Sequence, residues 1–137
     1  MILVAAAVII KNDKVLLARR KKGQRLESFW EFPGGKVEYG ETLQQCLERE
    51  LYEELGIIAE AGKIIAESTY NYKDETVNLF AILTNIKEGN FKLTVHDKIK
   101  WVKADDLTKY NLAPADVPIA QKIKENIESI KNTIKKE

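Results

Sequence analysis

Residues 34–57 read GGKVEYGETLQQCLERELYEELGI, and this stretch carries the clearest helix signal in the chain. Four leucines recur there at every fourth position: Leu43, Leu47, Leu51 and Leu55. Because this spacing keeps side chains on one face of a helix, the pattern predicts an α-helix over residues 42–55. Gly56 follows directly and is typical of the residue that ends a helix.

Three glutamates lie on or beside this leucine stripe. At about 100° per residue, with Leu43 at 0°, Glu54 lies at about 20°, Glu50 at about −20° and Glu53 at about −80°. Carboxylates crowded against an apolar face repel one another unless a cation neutralises them, and we expect Arg49 to satisfy one of them at most. Hard oxygen ligands suit Mg²⁺ or Mn²⁺, which complete their shells with water and phosphate oxygens. This placement favours a metal-dependent phosphate site over a merely solvated charged face.

Gly34 and Gly35 stand before the predicted helix and would let the backbone approach a ligand closely, with positive φ available. We expect their carbonyl or amide groups to face a metal ion and phosphates. Gly35 and Gly40 have the glycine spacing of a P-loop. That motif is excluded, however, because residues 41–42 are Glu-Thr where it needs lysine followed by serine or threonine.

The remaining pattern predicts strands on both sides of the helix and a second helix at the end of the chain. The predicted strands are residues 3–10 and 14–19, joined as a hairpin, a stub at 30–35, and residues 64–72, 76–86 and 99–102. A helical turn at 105–110, an elbow at 114–118 and a helix from Ile119 follow. This order predicts an α+β fold with a mixed sheet covered by helices, and one domain over residues 1–137.

Composition limits the classes of function. The chain has 137 residues, with Lys+Arg 22 against Asp+Glu 21 and a net charge of +1, which argues against a partner of long nucleic acid. One cysteine, Cys46, excludes an internal disulfide and is expected in the core, and one histidine, His96, excludes a multi-histidine metal site. The apolar residues 1–10 are too few for a membrane span. We expect a cytoplasmic protein without a membrane partner, either a monomer or a homodimer.

At this point the residues match a known family. Gly35, Glu41 and the run RELYEELGI at 49–57 together resemble the complete box of the Nudix hydrolases. The flanking segments LLARR at 16–20, WEFPGGKVE at 30–38 and LAPADVP at 112–118 resemble the MutT-like branch, which sanitises nucleotide pools. The resemblance implies the Nudix α/β/α sandwich, with a mixed sheet between helices. It also implies hydrolysis of a nucleoside triphosphate to monophosphate and pyrophosphate, with Mg²⁺ or Mn²⁺ as cofactor.

The resemblance assigns roles to the metal site. Glu50 and Glu54 match the family's main metal ligands, and the Gly34 carbonyl matches a backbone ligand. Glu53 matches a further ligand or a carboxylate that orients water. Either Glu50 or Glu53 could take the proton from the attacking water, and the sequence leaves this choice open.

Two further features follow from the same resemblance. Glu41 and Arg49 match a supporting pair that holds the helix and the preceding loop together. Family members often carry another metal-binding glutamate before the late Trp-Val strand, but residues 94–101 contain none. His96 and Asp97 are the nearest candidates for that role, and the alternative for His96 is a surface or loop histidine.

By resemblance the substrate-binding residues are Arg20, Phe32, Gly35, Lys36 and Asp116. Phe32 would line the base pocket and Arg20 would reach the nucleotide, although a core phenylalanine and a solvated strand end are the plain alternatives. In the best-known 8-oxo-dGTP hydrolase pattern an asparagine stands at the position of Asp116. An ionised aspartate only accepts hydrogen bonds, which fits the amine of cytosine. The N–H donors of 8-oxoguanine also fit, especially with a protonated Asp116; a helix-entry cap is the structural alternative.

The leading hypothesis is therefore a MutT-like 8-oxo-dGTP diphosphatase, and the runner-up is a CTP/dCTP pyrophosphohydrolase. A hypothesis of another class is a non-catalytic Nudix module that binds a nucleotide. Loss of glutamates from the box would indicate such a module, and none is lost here.

Overall fold

The computed structural model describes residues 1–135, in which five strands, an α-helix, three further strands and a second α-helix follow one another along the chain. The strands are β1 Ile2–Val8, β2 Ile10–Lys11, β3 Lys14–Arg20, β4 Trp30–Glu31, β5 Gly34–Lys36, β6 Ile58–Asn71, β7 Thr76–Glu88 and β8 His96–Lys103. The α-helices are α1 Leu43–Leu55 and α2 Val117–Lys135, and two 3₁₀ helices span Ala104–Lys109 and Pro114–Asp116. The predicted α+β class is confirmed, and the long strands extend further than their sequence patterns indicated.

The central sheet is mixed and lies between the two α-helices. Its strand order is β5-β1-β7-β6, with β1 parallel to β7 and the other pairs antiparallel. Ala5 and Ala7 of β1 pack in the same core as the α1 leucines, whereas Ala6 and Val8 pack in the core that holds the α2 isoleucines. Because neighbouring strand residues point to opposite faces, α1 and α2 cover opposite sides of the sheet. This is the predicted sandwich.

The predicted hairpin of residues 3–10 with 14–19 is wrong for most of its length. Only β2 pairs with β3, through Ile10 with Val15 and Lys11 with Lys14, across a turn in which Asn12 and Asp13 have φ of 52° and 62°. β1 belongs to the central sheet instead, while β3 pairs with β2, β4 and β8 in a second, antiparallel sheet. The predicted stub at 30–35 is likewise divided, because β4 pairs with β3 and β5 pairs with β1.

Helix α1 begins and ends where its sequence predicts. The Thr42 hydroxyl accepts from the Gln45 backbone N–H at 3.0 Å, and the Gln45 side chain accepts from the Thr42 N–H at 2.9 Å. This capping box satisfies two backbone donors at the first turn. Gly56 adopts φ 70° and donates its N–H to the Tyr52 carbonyl, which closes the last turn. The buried face consists of Cys46, Leu47, Leu51 and Leu55, whereas Leu43, the first leucine of the predicted stripe, is only partly buried.

Helix α2 covers the face of the central sheet that lies opposite α1. Ile119 and Ile123 of α2 are almost wholly buried, whereas Ile134 is 39% exposed, so the apolar face of this helix loses its cover near the end. Helix α2 begins at Val117, directly after the second 3₁₀ helix, which carries Asp116. Among residues 1–135, no helix combines the length and apolar character that crossing a membrane requires.

Candidate active site

Arg49 connects α1 to the loop that precedes it. Its Nε and Nη2 donate to the two carboxylate oxygens of Glu41 at 2.6 and 2.9 Å, and Nη2 also donates to the Lys36 carbonyl at 3.3 Å. Hydrogen bonds from Arg49 and from the Glu38 N–H lower the pKa of Glu41 to about 2. A bidentate pair of this kind fixes both distance and orientation.

Arg49 also contacts two carboxylates of its own helix. Its Nη1 donates to Glu50 at 2.8 Å and to Glu53 at 3.0 Å. The expectation that Arg49 satisfies one carboxylate at most is therefore wrong. The planar guanidinium has five N–H donors, and one helical turn brings Glu53 to the same side as Arg49. Glu53 is the more exposed of its two partners, with 53% of the side chain accessible against 15% for Glu50.

Glu54 is the deepest carboxylate of α1, as its position on the leucine stripe predicts. Its Oε1 is buried and lacks a hydrogen-bond partner within residues 1–135. Burial first, and then the neighbouring Glu50, raise the pKa of Glu54 to about 9. A buried oxygen without a partner, next to a second carboxylate, is an arrangement that a divalent cation stabilises. The donor set of Glu50 and Glu54 therefore fits such a cation.

Gly34 and Gly35 are needed because only glycine leaves enough space at these positions. Neither residue adopts the positive φ that is available to glycine. A Cβ on Gly34 would overlap the Ala5 carbonyl of the paired strand, and a Cβ on Gly35 would overlap the Glu50 carboxylate. The glycines thus bring β5 against both β1 and α1, and Gly35 lies directly beside Glu50.

Glu31 is a buried carboxylate that the sequence pattern did not single out. Its Oε2 lies 2.8 Å from His96 Nε2 and 3.0 Å from Arg20 Nε. Glu31, Glu54 and His96 each present one potential ligand atom within 4.8 Å of the other two. A usable signal did exist, since a glutamate between Trp30 and Phe32 on a strand must either face solvent or find a buried partner.

The structure distinguishes His96 from Asp97, the two candidates for the metal-binding role of the missing glutamate. His96 is 3% exposed and faces Glu31, so it is not a surface histidine. Asp97 points away from the cluster and pairs with Arg19 at 2.8 Å, where both side chains are exposed. The structure therefore brings His96, and not Asp97, next to Glu54.

A cleft of about 280 Å³ opens beside these carboxylates. All five residues that the resemblance assigns to substrate binding line it: Arg20, Phe32, Gly35, Lys36 and Asp116. Phe32 is 2% exposed and also belongs to the core on the α2 side, so its two interpretations are compatible. Lys36 stands at the rim with 63% of its side chain accessible.

Asp116 lines the cleft and is 5% exposed. Its Oδ2 accepts from the Phe32 N–H at 2.8 Å, which ties the 3₁₀ helix before α2 to the segment between β4 and β5. Burial, and then the negative charge of Glu31, raise the pKa of Asp116 well above its usual range. This bond joins two segments of the cleft wall, and within residues 1–135 the Asp116 carboxylate makes no hydrogen bond to the backbone at the start of α2, so the helix-entry cap is not observed.

Comparison with known proteins agrees with this geometry. Residues 1–123 match the family model described as NUDIX domain. The chain is 37% identical over 121 residues to the CTP pyrophosphohydrolase of Escherichia coli, covering 88% of this chain and 90% of that protein. It is 32% identical over 124 residues to the 8-oxo-dGTP diphosphatase of Haemophilus influenzae, covering 89% and 91%.

Solved structures show the same fold. The solution structure of the E. coli ORF135 protein superposes with a TM-score of 0.83 at 35% identity, covering 94% of this chain and 92% of that one. The crystal structure of MutT protein from Methanosarcina mazei superposes with a TM-score of 0.82 at 24% identity, covering 91% and 94%.

Proposed function

Because the chain belongs to the Nudix family of hydrolases, we propose that it converts a nucleoside triphosphate to a monophosphate and pyrophosphate, with Mg²⁺ or Mn²⁺ as cofactor. The observation that carries this proposal is the continuity between the cleft and the carboxylates of α1. Gly35 lines the cleft and lies directly against Glu50. A nucleotide held between Arg20 and Asp116 would therefore have its phosphates beside Glu50 and Glu54.

We assign the cation to Glu50, Glu54 and the Gly34 carbonyl, with Glu53 as a further ligand or a water-orienting group. When bound, the cation supplies charge neutralisation for the phosphates and lowers the pKa of a coordinated water. Glu54 then contributes a buried oxygen that finds no protein partner within residues 1–135. Glu53, which is more exposed, has room to move between Arg49 and water.

The proton of the attacking water goes to Glu50 or Glu53 in this scheme. Both carboxylates bond to the same Arg49 nitrogen, so a proton on one changes the charge that the other experiences. Arg49 and Glu41 act one step away from the reaction. They hold the helix against the loop, and thereby keep Glu50 beside Gly35.

For the base we propose 8-oxoguanine in 8-oxo-dGTP as the main candidate. The raised pKa of Asp116 favours its neutral form, which both donates and accepts hydrogen bonds, as the side chain of asparagine does. The Haemophilus influenzae relative is named for this substrate. In this role the protein would remove an oxidised nucleotide from the pool, and we place it in the cytoplasm, where that pool is.

CTP or dCTP is the second candidate, and the ionised form of Asp116 favours it. An ionised Asp116 only accepts hydrogen bonds, and the exocyclic amine of cytosine donates them. The Escherichia coli relative named CTP pyrophosphohydrolase is 37% identical to this chain, against 32% for the Haemophilus influenzae relative.

The test is pyrophosphate release from a panel of NTPs and dNTPs, oxidised ones included, with Mg²⁺, with Mn²⁺ and with a chelator. We expect cation-dependent release that is fastest with 8-oxo-dGTP, or with CTP or dCTP under the second candidate. Release from none of the panel would overturn the proposal in favour of a non-catalytic nucleotide-binding module. Release that continues in the chelator would overturn the metal assignment.

A further inference from the structure

Arg20, Glu31 and His96 form a row of contacts across the second sheet, at the wall of the cleft. The middle member is Glu31, whose side chain is 10% exposed and whose Oε2 meets both neighbours, at 2.8 Å for His96 Nε2 and 3.0 Å for Arg20 Nε. Since a carboxylate accepts hydrogen bonds, the imidazole carries its N–H on Nε2 and donates it to Glu31. The His96 side chain is completely buried and is not among the residues that line the cleft, so it can affect a ligand there only through its neighbours.

A β-bulge turns His96 inward. The pairing of β3 with β8 joins Arg19 to Lys98 and then Arg20 to His96, which leaves Asp97 as an extra residue. Asp97 and Lys98 are consequently both exposed, and His96 takes the inward position that strict alternation would give to Asp97. Bulges redirect side chains in this way at the edges of binding sites.

Arg20 and Glu31 both line the cleft, and Arg20 is the more accessible of the two, with 23% of its side chain exposed against 10% for Glu31. The Nε edge of Arg20 is held by the ion pair with Glu31 alone, since neither Nε nor the two terminal nitrogens have a hydrogen-bond partner within residues 1–135. A guanidinium anchored along one edge can present the other edge to a phosphate or a carbonyl oxygen. The orientation of that free edge depends on Glu31.

We propose that His96 is a positioning residue for nucleotide binding, which fixes the carboxylate of Glu31 and through it the guanidinium of Arg20. This inference rests on the proposed function and adds to it a residue that does not touch the substrate. An interaction that Arg20 makes equally with bound substrate and transition state affects KM and leaves kcat nearly unchanged. Loss of His96 should therefore weaken nucleotide binding with little effect on the chemical step.

The experiment compares His96→Leu, which removes the N–H donor at similar volume, with His96→Gln, which retains an N–H donor. KM and kcat are measured with the nucleotide that the wild type hydrolyses best, and a non-hydrolysable triphosphate analogue gives Kd by calorimetry. We expect His96→Leu to raise KM and Kd by about tenfold, the effect of one charge-assisted hydrogen bond, and to change kcat by less than about twofold. His96→Gln should restore most of the binding. Asp97→Asn, on the exposed side of the bulge, is the matched control and should leave both constants unchanged.

A double-mutant cycle with Arg20→Gln tests whether His96 acts through Arg20. In that background His96→Leu should cause no further rise in Kd, because the residue it positions is already gone. If His96→Leu does not fold, Glu31→Gln takes its place in the cycle. Additive losses in Kd, a loss confined to kcat, or failure of His96→Gln with an unchanged Tm would each overturn the inference. A wild type that hydrolyses no nucleotide refutes the proposed function, while the analogue Kd still tests the positioning role.

Discussion

Arg49 donates hydrogen bonds to both carboxylate oxygens of Glu41, at 2.6 and 2.9 Å, and this contact joins the metal-binding face of α1 to the loop that leads into it. The same guanidinium also donates hydrogen bonds to Glu50 and Glu53, so the Arg49 side chain holds three carboxylates of the site in place. Removing its loop partner should therefore disturb the loop and the helix together.

Glu41→Gln should lower the Tm near neutral pH, and the loss should shrink in acid. The pKa of Glu41 is about 2 in the folded protein against an ordinary value of 4.5, so its stabilising charge is fully present above about pH 4.5 and is lost as the pH falls toward 2. Thermal unfolding of wild type and variant from pH 7 downward measures the difference. Glu27→Gln, on an exposed loop, serves as the control. A difference in Tm that stays constant down to about pH 2 would contradict this assignment.

Glu50→Gln and Glu54→Gln should each lower kcat by about 10²-fold or more while the protein remains folded. Each change removes a charged ligand and keeps the side-chain shape, so the cation loses part of the charge that holds it. Rates of pyrophosphate release at saturating Mg²⁺, with circular dichroism to verify the fold, provide the measurement. If both variants retain nearly the wild-type rate, the carboxylates of α1 do not hold the catalytic cation.

Glu54→Gln should also stabilise the metal-free protein at alkaline pH. Because the folded pKa of Glu54 is about 9, the unfolded chain releases this proton above about pH 4.5 while the folded chain keeps it. The free energy of unfolding of the wild type therefore falls as the pH rises toward 9. The variant is neutral in both states and lacks this decline, so its Tm advantage in EDTA should grow between about pH 5 and pH 9. Parallel curves for the two proteins would show that Glu54 is not held neutral.

Helix α1 could be predicted almost to the residue because its signals are local. The leucine spacing and Gly56 lie within one segment, the structure adds a capping box of Thr42 with Gln45 there, and the same helix geometry predicts the burial of Glu54. The partner of β1 could not be predicted in this way. Strand β1 pairs in parallel with β7, from Ile2 with Val77 to Val8 with Leu83, and no local pattern specifies a partner so distant in sequence.

The wall of the cleft was harder to predict than the carboxylates of α1. Glu31 and His96 meet across β3, and the bulge at Asp97 decides which of two adjacent residues faces inward. A one-residue change of register moves a side chain to the other face of a sheet, so strand periodicity alone gives the wrong choice at a bulge. The triple contact of Arg49 similarly depends on a side-chain rotamer, which sequence spacing does not fix.

Gly34→Ala and Gly35→Ala should fail in different ways. The Cβ added at Gly34 would meet the backbone of Ala5 in a paired strand, which cannot move without breaking the sheet, so we expect a large loss of stability. The Cβ added at Gly35 would meet the flexible end of Glu50, which can swing away. Gly35→Ala should therefore fold and lose activity. Tm and kcat measured on both proteins separate the two effects, and a fully active Gly35→Ala would show that the position of Glu50 is not critical.

Asp116→Asn should change base preference without loosening the fold. One oxygen of Asp116 already accepts from the Phe32 N–H, and the asparagine carbonyl can take over that bond. The amide NH₂ then occupies the place of the second carboxyl oxygen and can only donate to the base. A base that presents an amine there, as cytosine does, should lose about 10- to 100-fold in kcat/KM, the effect of one charge-assisted hydrogen bond. Bases that present an acceptor should be hydrolysed as well as before or better.

Asp116→Ala, in contrast, leaves the buried Phe32 N–H without its partner and should lower the Tm as well. The same nucleotide panel on the three proteins, measured across the pH range, provides the test. In the wild type the ratio of 8-oxo-dGTP to CTP hydrolysis should fall as the pH rises and Asp116 ionises, whereas in Asp116→Asn the ratio should not respond to pH. Equal losses for every nucleotide in both variants would mean that Asp116 only joins the two segments of the cleft wall, and that the base is read by other groups.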